Sequence, residues 1–107
     1  MGRPQASVDV FRAVADPTRR GLLDLLARRD RLVTSLAARF KMTLPAVSQH
    51  LRVLRKAGLV EQHRAGRQRL YRLRPDRLRE MAEWVSGYER FWRKKLRALG
   101  EHLKRTP

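Results

Sequence analysis

The stretch from Thr43 to Leu73, TLPAVSQHLRVLRKAGLVEQHRAGRQRLYRL, restricts the fold more than any other part of the chain, because it can only be a capped helix followed by a hairpin. Thr43 supplies an N-cap oxygen, Pro45 is tolerated in the first turn, and Val47, Leu51 and Leu54 recur at helical spacing. Gly58 then ends the helix as a left-handed residue. Beyond it, residues 59–63 and 68–73 form two short strands about Arg64-Ala65-Gly66-Arg67, where Gly66 takes the positive φ of a hairpin turn. Extended by one residue to Arg74, the same span carries Arg52, Arg55, Lys56, Arg64, Arg67, Arg69, Arg72 and Arg74, opposed by Glu61 alone. Such a local excess of cations asks for a polyanion.

Upstream the pattern is helical. Ser7 to Ala15 reads as a short helix with Phe11, Val8, Val14 and Ala15 to one side. Asp16-Pro17 opens a second helix, since Asp16 can accept from the first turn and Pro17 lacks only an N–H that would have been unpaired. Leu22, Leu23, Leu25 and Leu26 give that helix its apolar face to about Arg28 or Arg29, and Gly21 weakens it slightly. Val33 to Phe40 forms a third helix with Leu36, Ala37 and Phe40 inward and no clear N-cap, and Lys41-Met42-Thr43 is a tight turn.

From Pro75 to about Leu103 the chain reads as one long helix, with Leu78, Met81, Val85, Tyr88, Trp92, Leu96, Leu99 and Leu103 in steps of three or four. At about 1.5 Å per residue it spans on the order of 40 Å, longer than a compact domain of about 100 residues is wide. Burial of each large apolar side chain is worth roughly 1.5–3 kcal/mol, so leaving several wet would forfeit much of a marginal stability. A partner helix from a second copy is expected to cover the seam. The other reading is a kink at Gly87, or fraying after Gly100, that folds the helix back on its own domain.

A chain of 107 residues, 42% apolar, suits one domain with one modest core. Of the net charge of +16, residues 43–74 hold +7, against +5 for residues 1–42 and +4 for residues 75–107, so the middle third is the expected contact surface. No apolar run reaches the length of a membrane span, no signal peptide is evident, and Met1-Gly2 is followed by Ala6 where myristoylation wants Ser or Thr. The expectation is a cytoplasmic protein with no membrane partner. Without cysteine there are no disulfides, thiolate metal sites or cysteine nucleophiles. No Gly-rich phosphate loop or nucleophile–base pair suggests an enzyme, and Ser48 and His50 point about 200° apart on their helix.

The order of helix, helix, helix-turn-helix, wing and long helix resembles the ArsR-type winged-helix transcriptional repressors. The matching residues are Ala15-Asp16-Pro17-Thr18-Arg19-Arg20, Pro45-Ala46-Val47-Ser48-Gln49-His50-Leu51 with Val53-Leu54, Ala57-Gly58-Leu59-Val60, and Gly66-Arg67 leading to Tyr71 and Leu73. The similarity covers roughly residues 8–98. It implies a mainly α fold with a small β-hairpin, a winged helix-turn-helix of one domain over residues 1–107. Residues 34–57 would be the helix-turn-helix, 59–73 the β-wing and 75–103 the dimerisation helix. It further implies a homodimer through the first and last helices, with Phe11, Leu78, Met81, Val85, Tyr88, Trp92 and Leu96 at the interface. The fourth helix would enter the major groove of double-stranded DNA. Thr43, Ala46, Ser48, Gln49, Arg52 and Arg55 would then lie at or near the operator, with Arg64, Arg67 and Arg69 of the wing along phosphates or in a minor groove. The residue types suit that role, since Gln can bridge adenine, Arg can pair with guanine, and hydroxyls suit phosphates. His50 sits at the edge of the buried stripe, where helix packing or a phosphate contact suits it better than metal ligation.

The chain departs from many members of that family in its sensor. The positions matching a cysteine pair on the third helix are Leu32 and Thr34, neither of which ligates a soft metal. Glu80, Glu83 and the lone His102 among the cations of the last helix are read as ion pairs rather than ligands. No metal and no cofactor is expected. A small-molecule or protein effector has no signature here, although Trp84, Tyr88, Phe91 and Trp92 could line a pocket as well as a dimer core. The expected function is a homodimeric, sequence-specific repressor on an inverted-repeat operator, with its own promoter one candidate site. The alternative is a non-specific architectural nucleic-acid-binding protein, which would want exposed aromatics on its basic face.

Overall fold

A computed structural model of the chain describes residues 3–105. It contains α1 (Arg3–Val14), α2 (Pro17–Arg28), β1 (Arg31–Leu32), α3 (Val33–Phe40), α4 (Leu44–Lys56), β2 (Val60–Ala65), β3 (Gln68–Leu73), a 3-10 turn (Pro75–Arg77), α5 (Leu78–Ser86) and α6 (Glu89–Arg105). Local chemistry sets most of these boundaries. Asp16 Oδ2 accepts from the Arg19 N–H at 3.0 Å to start α2, and Thr43 Oγ1 accepts from the Ala46 N–H at 3.2 Å to start α4. Both helices carry proline in the first turn.

The C-terminus of α4 closes as a Schellman motif: Leu59 N–H bonds to the Leu54 carbonyl and Gly58 N–H to that of Arg55, each at 3.0 Å, with Gly58 at φ 78°. The end of α3 makes the same motif with Met42 N–H on Ala37 O and Lys41 N–H on Ala38 O, so Lys41 occupies the left-handed position at φ 54°. Gly21 is explained by a close approach: a Cβ there would sit 2.9 Å from the Phe40 ring.

The core gathers Val10 and Ala13 of α1, Leu22, Leu23, Leu25 and Leu26 of α2, Leu36 and Ala37 of α3, and Val47, Leu51 and Leu54 of α4, closed by Leu59, Val60 and Tyr71. The stripes predicted on α2, α3 and α4 are buried or partly buried, but on α1 it is Val10 and Ala13 that face the core, whereas of the expected side Val8 and Ala15 are exposed and Phe11 and Val14 half-buried. Strand order is β1-β3-β2, all antiparallel, with Val60 opposite Leu73 and Ala65 opposite Gln68.

Four other expectations change. The first helix begins at Arg3 and not Ser7. The hairpin turn is shorter than Arg64–Arg67, because Arg64 and Ala65 still pair in β2 and only Gly66, at φ 64°, and Arg67 turn. A third strand is added where Arg31 and Leu32 pair with Tyr71 and Leu70, which places Leu32 at the start of α3 without a side-chain cap. The helix expected over residues 75–103 is also not continuous. Gly87 N–H bonds to Trp84 O at 3.2 Å and Tyr88 N–H to Val85 O at 2.9 Å, a tight i−3 pattern that ends α5 before the Tyr88 carbonyl receives Phe91 and Trp92 to begin α6. Glycine, the residue that gains least from helical order, marks the break.

Candidate nucleic-acid interface

The solvent face of α4 and the hairpin β2–β3 together enclose a groove of about 400 Å³ whose walls include Ser48, Arg52 and Arg55 from α4 and Arg67 and Arg69 from the hairpin. Five of the nine residues expected to touch DNA thus meet in one concavity. Its floor is a polar chain: Arg55 donates to Gln62 Oε1, and Gln62 Nε2 donates to the Tyr71 hydroxyl at 3.0 Å. Tyr71 itself is buried. The remaining four residues do not line the groove. Gln49 is exposed on α4 beside Ser48, Arg64 is exposed on β2, Ala46 is half-buried in the first turn, and the Thr43 hydroxyl is committed to its cap.

Charge in this region is sorted. Arg72 donates to Asp30 Oδ2 at 2.9 Å, and Arg74 lies 3.6 Å from Glu61, so two of the eight cations of the stretch are matched at the base of the wing. His63 Nε2 is 2.8 Å from Glu61 Oε1, and this bond, followed by the charges of His63, Arg74 and Arg72, holds the Glu61 carboxyl below its ordinary value. Arg52, Lys56, Arg64, Arg67 and Arg69 have no carboxylate partner among the described residues. Arg64 stands directly opposite Arg69 across the hairpin. Like charges in that relation destabilise a hairpin by a few tenths of a kcal/mol or more unless an anion comes between them.

Four lining residues were not among those expected from the sequence. Thr34, on the first turn of α3, reaches the wing through a 3.2 Å contact between Oγ1 and Gln68 Oε1. Gln62 and Gln68 lie on strands where nothing but pairing register shows which face they take. Leu44 is 47% exposed at the mouth of the groove, and an apolar residue between a cap and a proline was the available signal.

The apolar residues assigned to the dimer divide in two. Leu78 and Met81 pack partly against the chain's own core, and Phe11 is half-buried with its ring edge-on to Trp84 at 5.4 Å. Trp84, Val85, Tyr88, Trp92 and Leu96 stay exposed together with Phe91, Leu99 and Leu103, although the helix does break near Gly87. The break does not bring them back to the domain. Among the described residues no helix is long and apolar enough to cross a membrane, and no three His, Cys, Asp or Glu come together.

A family model described as "Bacterial regulatory protein, arsR family" matches residues 16–62, from the α2 cap to the middle of β2. The chain is 35% identical to the transcriptional repressor SdpR of Bacillus subtilis over 75% of its own length and 89% of that protein's. The chain belongs to the arsR family of bacterial regulatory proteins. Among solved structures, an ArsR-like transcriptional regulator from Rhodococcus sp. RHA1 superimposes with a TM-score of 0.72 at 32% identity, covering 94% of this chain and 95% of that one. A homodimeric winged helix-turn-helix DNA-binding domain from Mycobacterium bovis, Mb0332, gives a TM-score of 0.69 at 32% identity, covering 82% and 84%. In this arsR-family regulator the basic groove lies between α4 and the hairpin β2–β3.

Proposed function

We propose that the protein is a transcriptional repressor that binds double-stranded DNA as a homodimer, each α4 reading one half of an inverted repeat. The observation that carries this is the convergence of Ser48, Arg52, Arg55, Arg67 and Arg69 on one groove, flanked by arginines that no carboxylate of the described residues neutralises. Gln49 and Arg52 offer bidentate hydrogen bonds to base edges, Leu44 offers an apolar contact to a thymine methyl, and the wing arginines supply phosphate neutralisation. The dimer is supported by the exposed row Val85, Tyr88, Trp92, Leu96 along α5 and α6, and by the homodimeric relative from Mycobacterium bovis.

Selection of duplexes from a random library, followed by footprinting upstream of the protein's own gene, tests the proposal. The expected result is protection of an inverted repeat whose half-sites lie about one helical turn apart, roughly 34–36 Å. Affinity should fall by about 10³ to 10⁵ between 50 and 200 mM salt for 6–10 neutralised phosphates. Equal displacement by unrelated duplex would favour the architectural reading instead.

A further inference from the structure

Arg19 makes contacts that neither a helix cap nor a surface cation needs. It lies in the first turn of α2, yet its Nε donates to Ala13 O at 2.7 Å and its Nη2 to Arg12 O at 3.0 Å, both carbonyls of the last turn of α1, the second of which also accepts from the Ala15 N–H at 3.2 Å. Its third nitrogen, Nη1, points the other way and lies 3.4 Å from His50 Nδ1 on α4. Arg20 already serves the same end of α1, with Nη1 donating to Val14 O at 2.8 Å and Ala15 O at 3.2 Å. The capping of α1 therefore does not explain why Arg19 also reaches α4. Asp16 frames the junction from α2, with Oδ2 on the Arg19 N–H at 3.0 Å and 3.9 Å from His50 Nδ1. The same end of α1 touches α5 through Phe11 and Trp84.

We infer that Arg19 is a positioning residue that fixes the orientation of α4 relative to α1 through His50, and so sets base preference without touching DNA. A guanidinium is suited to this because its planar fork holds several acceptors at fixed angles, which an ammonium cannot do. His50 follows Gln49 and precedes Arg52 by two residues, so a rotation of α4 released at His50 moves both side chains away from the bases they read. A guanidinium can only donate, so in a hydrogen bond between Arg19 and His50 it is Nδ1 that accepts. The inference rests on the proposal that α4 reads bases.

The test uses the full chain and a duplex of about 30 bp that the wild-type protein enriches from a random library, compared with a scrambled duplex of equal composition. Arg19→Lys keeps the charge and loses the fork, His50→Leu loses the acceptor, and His50→Gln retains an acceptor in its amide oxygen. Arg19→Lys and His50→Leu are each expected to lower the ratio of affinities for the two duplexes about tenfold, within the span of usual coupling energies, with scrambled-duplex binding almost unmoved. His50→Gln should stay within about twofold of wild type, and the double variant Arg19→Lys/His50→Leu should be no worse than the poorer single one. An unchanged ratio in both single variants, an equal loss in His50→Gln and His50→Leu, or losses that multiply in the double variant would overturn the inference. If Arg19→Lys does not fold, the contrast between the two His50 variants decides alone. Gln49→Ala separates this from the underlying reading: if it lowers the ratio while Arg19 and His50 variants do not, only the positioning role fails. If wild type enriches no duplex, both fail.

Discussion

Single residues hold this fold at the ends of its helices, and one of them does so under strain. Lys41 sits in the left-handed region at φ 54° and ψ 42°, where a side chain costs roughly 1–2 kcal/mol, to complete the motif that closes α3. Replacing Lys41 with Gly removes that strain at some loss in chain entropy, so a net gain of about 0.5–1 kcal/mol is expected. A thermal melt should rise by roughly 2–6 °C; no rise would mean that the turn relaxes around lysine without strain. Asp16 gives a second residue-level outcome. The backbone N–H of Arg19 first, aided by the charge of Arg19, holds its carboxyl below the ordinary 3.8 against the opposing effect of burial. A carboxyl whose folded value is depressed stabilises fully above its unfolded value and loses that contribution as pH falls through the folded one. Asn caps a helix as well as Asp, so Asp16→Asn isolates the charge. The variant should unfold at lower denaturant than wild type at about pH 7, and the gap should narrow as pH falls below the ordinary 3.8 and close once the carboxyl is protonated in the folded protein. A gap that stays constant with pH would show that the charge of Asp16 contributes nothing.

Elements show where the sequence was readable and where it was not. The Thr43 and Asp16 caps, the Gly58 stop and the buried stripes of α2, α3 and α4 are all legible in the sequence, because each rests on chemistry within five residues of itself. β1 is not, since Arg31-Leu32 has no period of its own and becomes a strand only by meeting Leu70 and Tyr71, distant in sequence. The break at Gly87 is legible only as the alternative reading, because apolar residues spaced three or four apart run through it, a pattern that constrains faces but not continuity. Site residues follow the same rule: their elements are legible, but the Arg55–Gln62–Tyr71 chain and the pairing of Arg72 with Asp30 depend on register across strands. Register also exposes the hairpin's conflict between Arg64 and Arg69. Replacing Arg64 with Thr should stabilise the free protein by a few tenths of a kcal/mol. It should also weaken binding to every duplex alike and reduce the salt slope by about 1, as expected for a lost phosphate contact. Salt titrations of both proteins on the selected and scrambled duplexes check this; a loss confined to the selected duplex would instead make Arg64 a base reader.

The whole molecule is described by how its two surfaces depend on each other. The domain from α1 to β3 closes around its own core, while α6 carries Trp92, Leu96, Leu99 and Leu103 in one stripe, each more than half exposed, out to an overall extent of 59 Å. At roughly 1.5–3 kcal/mol for each large side chain left in water, that stripe represents more free energy than a small domain has to spare, so a second copy is the simplest cover. Leu96 is 64% exposed, which allows its substitution without opening the core. Leu96→Glu should therefore sediment as a monomer where wild type sediments as a dimer, with its far-UV spectrum retained. A monomer presents one α4 to one half-site and loses the advantage of tethering, which is worth about 10² to 10⁴ in affinity for a two-site ligand. Binding to the full inverted repeat should fall by that order, while binding to an isolated half-site changes little. A dimeric Leu96→Glu, or a monomer that still holds the full repeat as tightly, would place the interface on another face and detach operator symmetry from the stripe on α6.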